Sequence, residues 1–187
     1  TIGSFDGVHL GHQQIIQRLT RYAKAHGLIS VVVTFEPQPK EFLTPDNAPP
    51  RLSSLTDKAR KLKALGVDRL VVLPFNQALR ALSADQFVRQ ILQQRLNTQW
   101  LQVGDDFRFG ADRKGNAQFL TGYNFTVIDL PSQCVDGHRV SSTQVRNSLL
   151  SGDFSKVTEL LGEPYTLGGR IVYGRQLGRT IGVPTAN

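Results

Sequence analysis

Two histidines stand three residues apart in a glycine-rich run near the start of the chain, and no other feature constrains the local fold as strongly. The run reads TIGSFDGVHLGH and contains His9 and His12. Apolar residues then recur at helical spacing as far as Gly27, at Ile15, Ile16, Leu19 and Ala23. The sequence therefore predicts a strand that turns sharply into a helix, with both imidazoles on one face of its first turn.

The first turn of such a helix favours anions. Its unpaired backbone N–H groups and the positive end of the helix dipole attract phosphate. Gly3 and Gly7 allow a tight turn before the helix, and Gly11 lacks a Cβ where a ligand would approach. An imidazole donates hydrogen bonds in its neutral or its charged form near physiological pH. We expect both histidines to contact a phosphorus centre whose oxygens gain charge during a reaction; the alternative is a pair of ordinary surface histidines.

A second pattern, VSSTQVR, occupies Val140–Arg146. Ser142 or Thr143 is expected to cap a helix there. Arg146 then lies one turn into the helix and offers a planar guanidinium to phosphate oxygens. Taken alone, the pattern also fits any capped helix with an exposed arginine. We call residues 3–12 the first motif and residues 140–146 the second motif.

Several segments together carry a family resemblance. The first motif resembles the GxFDxxHxGH motif of the nucleotidyltransferase superfamily, whose HxGH element also occurs in class I aminoacyl-tRNA synthetases, and the second resembles the superfamily's ISSTxxR element. Three further segments are similar to the TFEPxP, GxDFxFG and GxPTAN motifs of the prokaryotic bifunctional riboflavin kinase/FMN adenylyltransferases, also called FAD synthetases: residues 31–39, 103–110 and 177–187. The resemblance covers essentially the whole chain in the same order.

The resemblance implies a fold and a division of the chain. It implies an α/β fold with a Rossmann-like parallel sheet and helices on both faces, of the HxGH nucleotidyltransferase type, followed by the start of a riboflavin kinase β-barrel. We place the adenylyltransferase domain at residues 1–163 and the first part of the barrel at residues 164–187. The sequence becomes rich in glycine and in strand-forming residues after Pro164.

The order of apolar segments predicts a parallel α/β sheet independently of the resemblance, because strands alternate with helices. We expect strands near residues 28–35, 69–73, 100–103 and 126–130. We expect helices near residues 56–65, 84–95, 143–151 and 153–161, the second of them opened by a capping box of Ser83 and Gln86. Residues 36–50, interrupted by prolines, are expected to form a loop.

The resemblance also implies an activity. It implies transfer of AMP from ATP to FMN, giving FAD and pyrophosphate, and, in the intact protein, phosphorylation of riboflavin by ATP. His9, His12 and Arg146 would be catalytic, and Mg²⁺ would accompany ATP. The residues that would bind ATP are Gly3, Ser4, Phe5, Asp6, Gly7, Gly11, Ser141, Ser142 and Thr143. The role of Asp6 stays open, because it can brace the loop instead of touching a ligand.

FMN would be bound by residues at two predicted strand ends: Phe35, Glu36, Pro37, Gly104, Asp105, Asp106, Phe107 and Phe109. Alternation turns both phenylalanine rings of the second segment the same way, so they stack on isoalloxazine or join the core. Its two aspartates contact a ligand or shape a turn. Glu36 follows a strand, where open α/β sheets bind ligands, or is a solvated acid. By resemblance alone, Thr185 and Asn187 would bind Mg²⁺ and ATP in the kinase module.

The composition of the chain limits its expected location and its expected partners. The single cysteine, Cys134, excludes an internal disulfide framework and a thiolate metal cluster, and no apolar run is long enough for a bilayer span. With no secretory leader at the start, we expect a cytoplasmic protein. The net charge of +7 suits nucleic acid, but it suits ATP, pyrophosphate and a flavin phosphate equally. We interpret the densest basic run, residues 58–63, as a solvated helix face and expect neither a nucleic acid nor a membrane partner.

Other functions are weighed by the motifs they require. No GxGxxG is present, and Gly110–Gly115 has the spacing of a Walker loop but is followed by Asn116 and Ala117 instead of Lys and Ser/Thr. Two alternatives stay open. One is an HxGH adenylyltransferase that acts on pantetheine phosphate or nicotinate mononucleotide, and the other is a non-catalytic module that binds a nucleotide or a flavin.

Overall fold

The structure, a computed structural model, describes residues 1–130, 134–135, 138–169, 172 and 177–183. Its strands in chain order are β1 Val31–Glu36, β2 Arg69–Pro74, β3 Trp100–Gly104, β4 Thr126–Leu130, β5 Cys134–Val135 and β6 His138–Arg139. β1 pairs in parallel with β2, and β3 pairs in parallel with β4, whereas the short β5 and β6 are antiparallel. The parallel pairing confirms the sheet that the alternation of strands and helices predicts.

The residues before the first motif extend the β1 side of the sheet. Ile2 forms a parallel bridge with Val33. The N–H of Val33 donates to the carbonyl of Thr1 at 2.8 Å, and the N–H of Gly3 donates to the carbonyl of Val33 at 3.0 Å. The first motif therefore leaves the sheet beside β1 and enters its helix from there.

The helices in chain order are α1 Leu10–Ala25, α2 Pro39–Leu43, α3 Leu55–Ala64, α4 Gln77–Ala81, α5 Ala84–Phe87, α6 Ala117–Leu120, α7 Ser142–Leu150, α8 Phe154–Leu161 and α9 Leu177–Thr180. α5 continues directly into a π-helical stretch at Val88–Arg95, so the two together match the predicted helix of residues 84–95. Short 3₁₀ turns occur at Asp6–Val8, Pro45–Asn47 and Ala111–Arg113.

Helices cover both faces of the sheet, as the predicted fold requires. Neighbouring residues of β1 point to opposite faces, so Val32 and Val33 belong to different clusters. Val33 packs in the cluster that contains Val88 of the π-helical stretch. Val32 packs in the cluster that contains Ile16 of α1 and Leu62 of α3. Helices therefore pack against both faces of β1.

A third apolar cluster joins the connection between α2 and α3 to the helices α7 and α8. Leu52 packs there with Val140, Val145 of α7, and Val157 and Leu161 of α8, among other side chains. α7 begins within the second motif, and Leu52 lies in the connection between α2 and α3. The packing therefore places the second motif against that connection.

The predicted loop at residues 36–50 was only partly right. It contains α2, which has Gln38 as its N-cap, Pro39 at its first position and Glu41 completing a capping box. Proline fits the first turn of a helix because no intrahelical partner is needed for the missing N–H, so here it starts a helix instead of breaking one. Two further helices, α4 and α6, were not predicted, and each begins after an asparagine N-cap.

Two expectations lie partly or wholly beyond what the structure describes. Within residues 164–187 the described part contains α9 and no strand. The predicted start of a barrel, and the boundary at residues 163 and 164, therefore stay predictions. In the described part of the chain, no helix is both long and apolar enough to cross a membrane.

A reciprocal hydrogen-bond pair locks the amino ends of β1 and β2. The N–H and hydroxyl of Ser30 donate to a carboxylate oxygen of Asp68 at 2.8 and 2.7 Å, and the N–H of Asp68 donates to the Ser30 hydroxyl at 2.9 Å. The substitution Ser30→Ala removes both hydroxyl bonds at a buried position. We expect urea denaturation to show a loss of about 1–3 kcal/mol in the free energy of unfolding. The exposed Ser151→Ala should cost much less, and equal losses in the two variants would contradict the assignment.

Candidate active site

The loop of the first motif uses unusual backbone conformations to turn from the sheet into α1. Phe5, Gly7 and Val8 have positive φ angles of 46°, 79° and 48°. A Cβ on Gly7 would approach the side chain of Leu52 to 3.0 Å, so both conformation and space favour glycine there. Val8 is β-branched and costly in this region. It is held by burial in the core and by a hydrogen bond from Gln13 Nε2 to its carbonyl at 3.0 Å.

The two histidines of the first motif meet face to face, in agreement with their spacing. His9 is the N-cap of α1, and its Nδ1 accepts a hydrogen bond from the backbone N–H of His12 at 3.3 Å. The ring centroids are 3.6 Å apart with an interplanar angle of 18°. The ring of Phe5 meets His12 edge-on at 5.1 Å. The pair therefore sits on the first turn of α1, where unpaired amides also lie.

Burial makes both imidazoles neutral at physiological pH. It lowers the pKa of His9 to about 4, against the opposing attraction of Asp6. It also lowers the pKa of His12 well below its ordinary value, and the charges of His9 and Lys58 add to this effect. Because His9 Nδ1 accepts a hydrogen bond, the proton of the neutral ring lies on Nε2. Among the described residues, nothing bonds to the buried Nδ1 of His12.

The open question about Asp6 is answered by its contacts. Its buried carboxylate accepts the backbone N–H of Leu52 at 3.0 Å and that of Ser53 at 3.2 Å. It also accepts a hydrogen bond from the guanidinium of Arg146 at 2.5 Å. Asp6 therefore braces the loop and joins the first motif to the second.

The second motif begins its helix one residue earlier than predicted. Ser141 is the N-cap of α7: its Oγ accepts the N–H of Gln144 at 3.3 Å, and its own N–H donates to Gln144 Oε1 at 3.0 Å. The expectation that Ser142 or Thr143 caps the helix was wrong, because only Ser141 has a glutamine three residues later to complete the capping box. The Ser142 hydroxyl instead donates to the carbonyl of Asp6 at 3.0 Å. Thr143 is exposed.

Arg146 faces the first motif. Its Nη2 donates to Asp6, and its Nε donates to the carbonyl of Pro50 at 2.7 Å. The two side chains of the ion pair are largely buried, with 13% of Arg146 and 3% of Asp6 exposed. The structure thus ties Arg146 to the loop that precedes the histidines, with its guanidinium held by protein oxygens.

Sequence reasoning missed the segment Pro50–Ser53, which we call the bridging segment. It bonds to both motifs through the contacts of Asp6 and Arg146, and the Ser53 hydroxyl accepts the N–H of Gly7 at 3.1 Å. Arg51 within it forms ion pairs with Glu36 and Glu41, each with a shortest distance of 2.5 Å. No spacing rule links Arg51 to these carboxylates. The only feature of the sequence that marked this segment was the pair of prolines directly before Arg51.

The contacts of Arg51 also show the environment of Glu36. This residue ends β1 and is half-buried, and its carboxylate makes two hydrogen bonds to the guanidinium. The alternative of a solvated loop acid therefore does not hold. The hydrogen bond from Arg51 is the main cause that lowers the pKa of Glu41. Pro37, which follows Glu36, is exposed.

The second flavin segment is divided between core and surface. Phe109 is 7% exposed and packs against Phe87 at a centroid distance of 5.4 Å, so the core alternative describes its position. Phe107 is half-buried and stacks on Phe109 at 5.3 Å. Asp105 and Asp106 are exposed in a turn closed by the N–H of Phe107 and the carbonyl of Gly104 at 2.9 Å. In the first flavin segment, Phe35 meets Phe75 edge-on at 5.8 Å.

The remaining predicted ATP residues lie along the same path. Gly3 ends the strand segment before the loop, and the carbonyl of Ser4 accepts the hydroxyl of Thr34 at 3.3 Å. Gly11 is buried in the first turn of α1. Thr185 and Asn187 lie outside the described residues. Within the described part, no three His, Cys, Asp or Glu side chains converge as a metal site.

The basic helix face was predicted wrongly at one position. Lys58 of α3 is 2% exposed, so it does not lie on the solvated face predicted for the basic run of residues 58–63. Leu55, Lys58 and Leu62 are spaced by three and four residues, so they share one face of the helix. Leu62 packs under the first motif. That spacing was the available signal, and it puts Lys58 on the buried side.

Comparison with known proteins gives consistent matches along the whole chain. The family model described as FAD synthetase matches residues 1–144, and the model described as riboflavin kinase matches residues 161–187. The chain is 52% identical over 191 aligned positions to the bifunctional riboflavin kinase/FMN adenylyltransferase of Pseudomonas fluorescens, covering 100% of this chain and 61% of the relative. It is 42% identical to the protein of that name from Escherichia coli strain K12, again covering 100% of this chain and 61% of the relative. The chain thus spans about three fifths of the length of these relatives.

Among solved structures, the chain is similar to a crystal structure described as a macrolide-efflux protein from Streptococcus pneumoniae. The match has a TM-score of 0.82 and 33% sequence identity, and it covers 100% of this chain and 62% of that one.

The substitution Asp6→Asn tests the brace. It leaves the guanidinium of Arg146 without its carboxylate in a buried place, and breaking such a pair from one side is costly. We expect the free energy of unfolding to fall by about 3 kcal/mol in urea denaturation. The matched control Glu159→Gln breaks the exposed pair with Lys156, and we expect it to cost less than about 1 kcal/mol. A similar small cost for both would contradict the assigned role.

The neutral histidines predict a pH dependence of stability. The pKa of His9 is about 4 in the folded protein and 6.5 in its ordinary state, so between these values the unfolded chain binds a proton that the folded protein does not. The free energy of unfolding should therefore fall as the pH is lowered from 6.5 toward 4. Above pH 6.5 the titration of His9 should leave it unchanged. His9→Asn keeps an N-cap acceptor but cannot titrate, so it should show a smaller fall between near-neutral and acidic pH. Identical pH profiles for the two proteins would overturn the interpretation.

Proposed function

The chain belongs to the FAD synthetase family, and from this membership we propose that the full-length protein transfers AMP from ATP to FMN, giving FAD and pyrophosphate. We also propose that it phosphorylates riboflavin to FMN with ATP, because residues 161–187 match the riboflavin kinase model. One observation carries the first proposal: a stacked pair of neutral imidazoles lies on the first turn of α1, in a loop tied directly to Arg146.

The chemistry of the proposed reaction is a displacement at phosphorus. A phosphate oxygen of FMN attacks the α-phosphorus of ATP, a new P–O bond forms, and the bond from the α-phosphorus to the bridging oxygen breaks. The bonding electrons leave with pyrophosphate. The attacking oxygen is already ionised near neutral pH, so no residue has to remove a proton. Catalysis then consists mainly of positioning and of stabilising negative charge.

The neutral imidazoles suit this task. His9 carries its proton on Nε2, which leaves that N–H available to a phosphate oxygen. The buried Nδ1 of His12 makes no hydrogen bond with the described residues, and a phosphate O–H or a water at a bound phosphate would satisfy it when the ring is protonated on Nε2. The amides of the first turn of α1 add fixed dipoles. Donors that are already in place stabilise developing charge without reorganisation.

The second motif would hold the departing pyrophosphate. We assign this role to Arg146 together with the predicted residues Ser141, Ser142 and Thr143. The guanidinium of Arg146 is bound to Asp6 and Pro50 in the structure, so phosphate oxygens would have to share or replace these contacts. Asp6 keeps its two backbone N–H donors from the bridging segment if Arg146 turns away.

The flavin would lie at the carboxyl ends of β1 and β3. The first predicted group there is Phe35, Glu36 and Pro37, and the second is Gly104–Phe107 with Phe109 behind it in the core. Because Phe109 is buried, Phe107 is the ring of that pair with surface left for stacking. A magnesium ion with ATP would neutralise phosphate charge. Asp6 does not fit as its ligand, because two amides and a guanidinium occupy its carboxylate, so phosphate oxygens and water are the fitting ligands.

Two alternatives are less well supported. An adenylyltransferase for pantetheine phosphate or nicotinate mononucleotide shares the first motif, but the matches to named relatives are to FMN adenylyltransferases. A non-catalytic nucleotide- or flavin-binding module would not need the whole set of His9, His12 and Arg146 at one place. We propose a cytoplasmic location, because the chain has a single cysteine. The proposed partners are the small-molecule substrates ATP, FMN and riboflavin.

The deciding experiment supplies the full-length protein with ATP and magnesium and one acceptor at a time. FMN should yield FAD and pyrophosphate, identified by mass and by a pyrophosphate assay, and riboflavin should yield FMN. Pantetheine phosphate and nicotinate mononucleotide should yield no adenylylated product. Adenylylation of one of these acceptors without FAD formation would overturn the proposal in favour of that alternative, and binding of ATP and FMN without any product would favour the non-catalytic module.

The substitution His12→Ala tests the proposed role of the imidazole pair. Loss of one preorganised donor costs about 2–4 kcal/mol of transition-state stabilisation, so kcat/KM for FMN adenylylation should fall by about 30- to 1000-fold. The fold should be retained, as judged by circular dichroism. His26→Ala is the matched control, because His26 is exposed at the other end of α1, and it should retain wild-type turnover. Near wild-type turnover in His12→Ala would show that the role is assigned wrongly.

A further inference from the structure

A buried lysine lies beside the proposed active site and takes no part in the reaction steps proposed for His9, His12 and Arg146. Lys58 is the largest side chain among those that are almost fully buried, with 2% of it exposed. Lysine is seldom buried to this degree without a partner, because an ammonium loses its hydration. A position that retains one is therefore a candidate for function.

The packing of α3 directs this side of the helix at the first motif. Leu62, one turn after Lys58, packs in the cluster with Phe5 and Val8. Lys61 on the adjoining side reaches the first motif itself, since its Nζ donates to the carbonyl of Gly7 at 3.5 Å. Lys58 thus lies on the helix face that covers the histidine loop.

The ammonium of Lys58 has charged neighbours but makes no ion pair with the described residues. Asp6, Glu36 and Glu41 attract it and Arg51 repels it, while desolvation by burial is the main cause that lowers its pKa. The three carboxylates are already bound to guanidinium groups: Asp6 to Arg146, and the two glutamates to Arg51. Lys58 itself donates no hydrogen bond to the described residues, so its three N–H donors can serve a further acceptor.

The charged and titratable neighbours of Lys58 belong to both proposed substrate regions. On one side its charge reaches His12 of the first motif, which is assigned to the phosphates of ATP. On the other side it reaches Glu36 of the first flavin segment. In the displacement described above, the phosphate of the flavin must lie between these two regions, because it joins the flavin to the α-phosphorus.

We propose that Lys58 binds the phosphate of the flavin acceptor and holds it for attack on the α-phosphorus of ATP. This inference rests on the proposed function. A phosphate dianion supplies the acceptors that the ammonium lacks, and a charge-assisted hydrogen bond in a buried place is strong. Lys58 forms and breaks no covalent bond in the step. It fixes the attacking group and makes the site select a flavin that carries a phosphate.

The test measures the adenylylation kinetics of the full-length Lys58→Met variant. Methionine keeps a long apolar side chain of similar shape but has no charge. KM for FMN should rise, or kcat/KM for FMN should fall, by about 10- to 100-fold. KM for ATP should stay within about twofold, because the proposed contact is with the acceptor. Lys63→Met on the exposed side of α3 is the matched control and should behave like the wild type.

A second readout separates phosphate binding from a merely structural role. Lumiflavin has the isoalloxazine ring but no phosphate, and its inhibition constant against FMN should be the same in Lys58→Met and the wild type. If lumiflavin and FMN weaken together, or if KM for ATP rises instead, the inference is overturned. It is also overturned if a folded variant keeps its KM and kcat for FMN. Lys58→Gln serves in the same assays if the methionine variant does not fold.

The two proposals fail in different ways. If the wild-type protein forms no FAD from FMN and ATP, the proposed function fails and takes this inference with it. If the wild type forms FAD and Lys58→Met retains its preference for FMN over lumiflavin, only the inference about Lys58 fails.

Discussion

The buried carboxylate of Asp6 is the interaction on which the arrangement of this site depends. It accepts hydrogen bonds from two backbone amides of the bridging segment and from Arg146, which lies 140 residues further along the chain. A buried charge is tolerated only when its lone pairs are satisfied, so the carboxylate forces all three parts of the chain to one place. The first motif, the bridging segment and the second motif are therefore a single unit, although none of them is close to the others in sequence.

The same burial sets the electrostatics of the histidines. Asp6 attracts a proton toward His9, but desolvation is the larger effect and the pKa falls. Part of the reason is that Asp6 already faces a guanidinium, which reduces the field that reaches the imidazole. The outcome is a site whose imidazole donors are neutral and whose neighbours include two basic side chains, Arg146 and Lys58.

Much of the fold could be predicted from the sequence, because it follows from local rules. The strand Thr126–Leu130 begins and ends at the predicted residues, and the capping box of Ser83 and Gln86 begins a helix as expected. The stacked histidines follow from a spacing of three residues. What could not be predicted depends on contacts between distant segments. The ion pairs of Arg51 and the contacts of Asp6 produce no periodic pattern in the sequence. At Lys58 two signals conflict, because its charge predicts a surface position and its helical spacing predicts a buried one.

The close stacking of the two imidazoles explains why neutral donors are the stable choice here. Two positive rings with centroids 3.6 Å apart would repel each other by about 5 kcal/mol, even at an effective dielectric constant near 20. Converting both rings to imidazolium at the same time is therefore strongly unfavourable. A neutral N–H still stabilises a phosphate oxygen, and it does so most strongly when the oxygen gains charge in the transition state. For the proposed displacement, stacking would thus favour a site that binds the ground state moderately and interacts most strongly with the transition state.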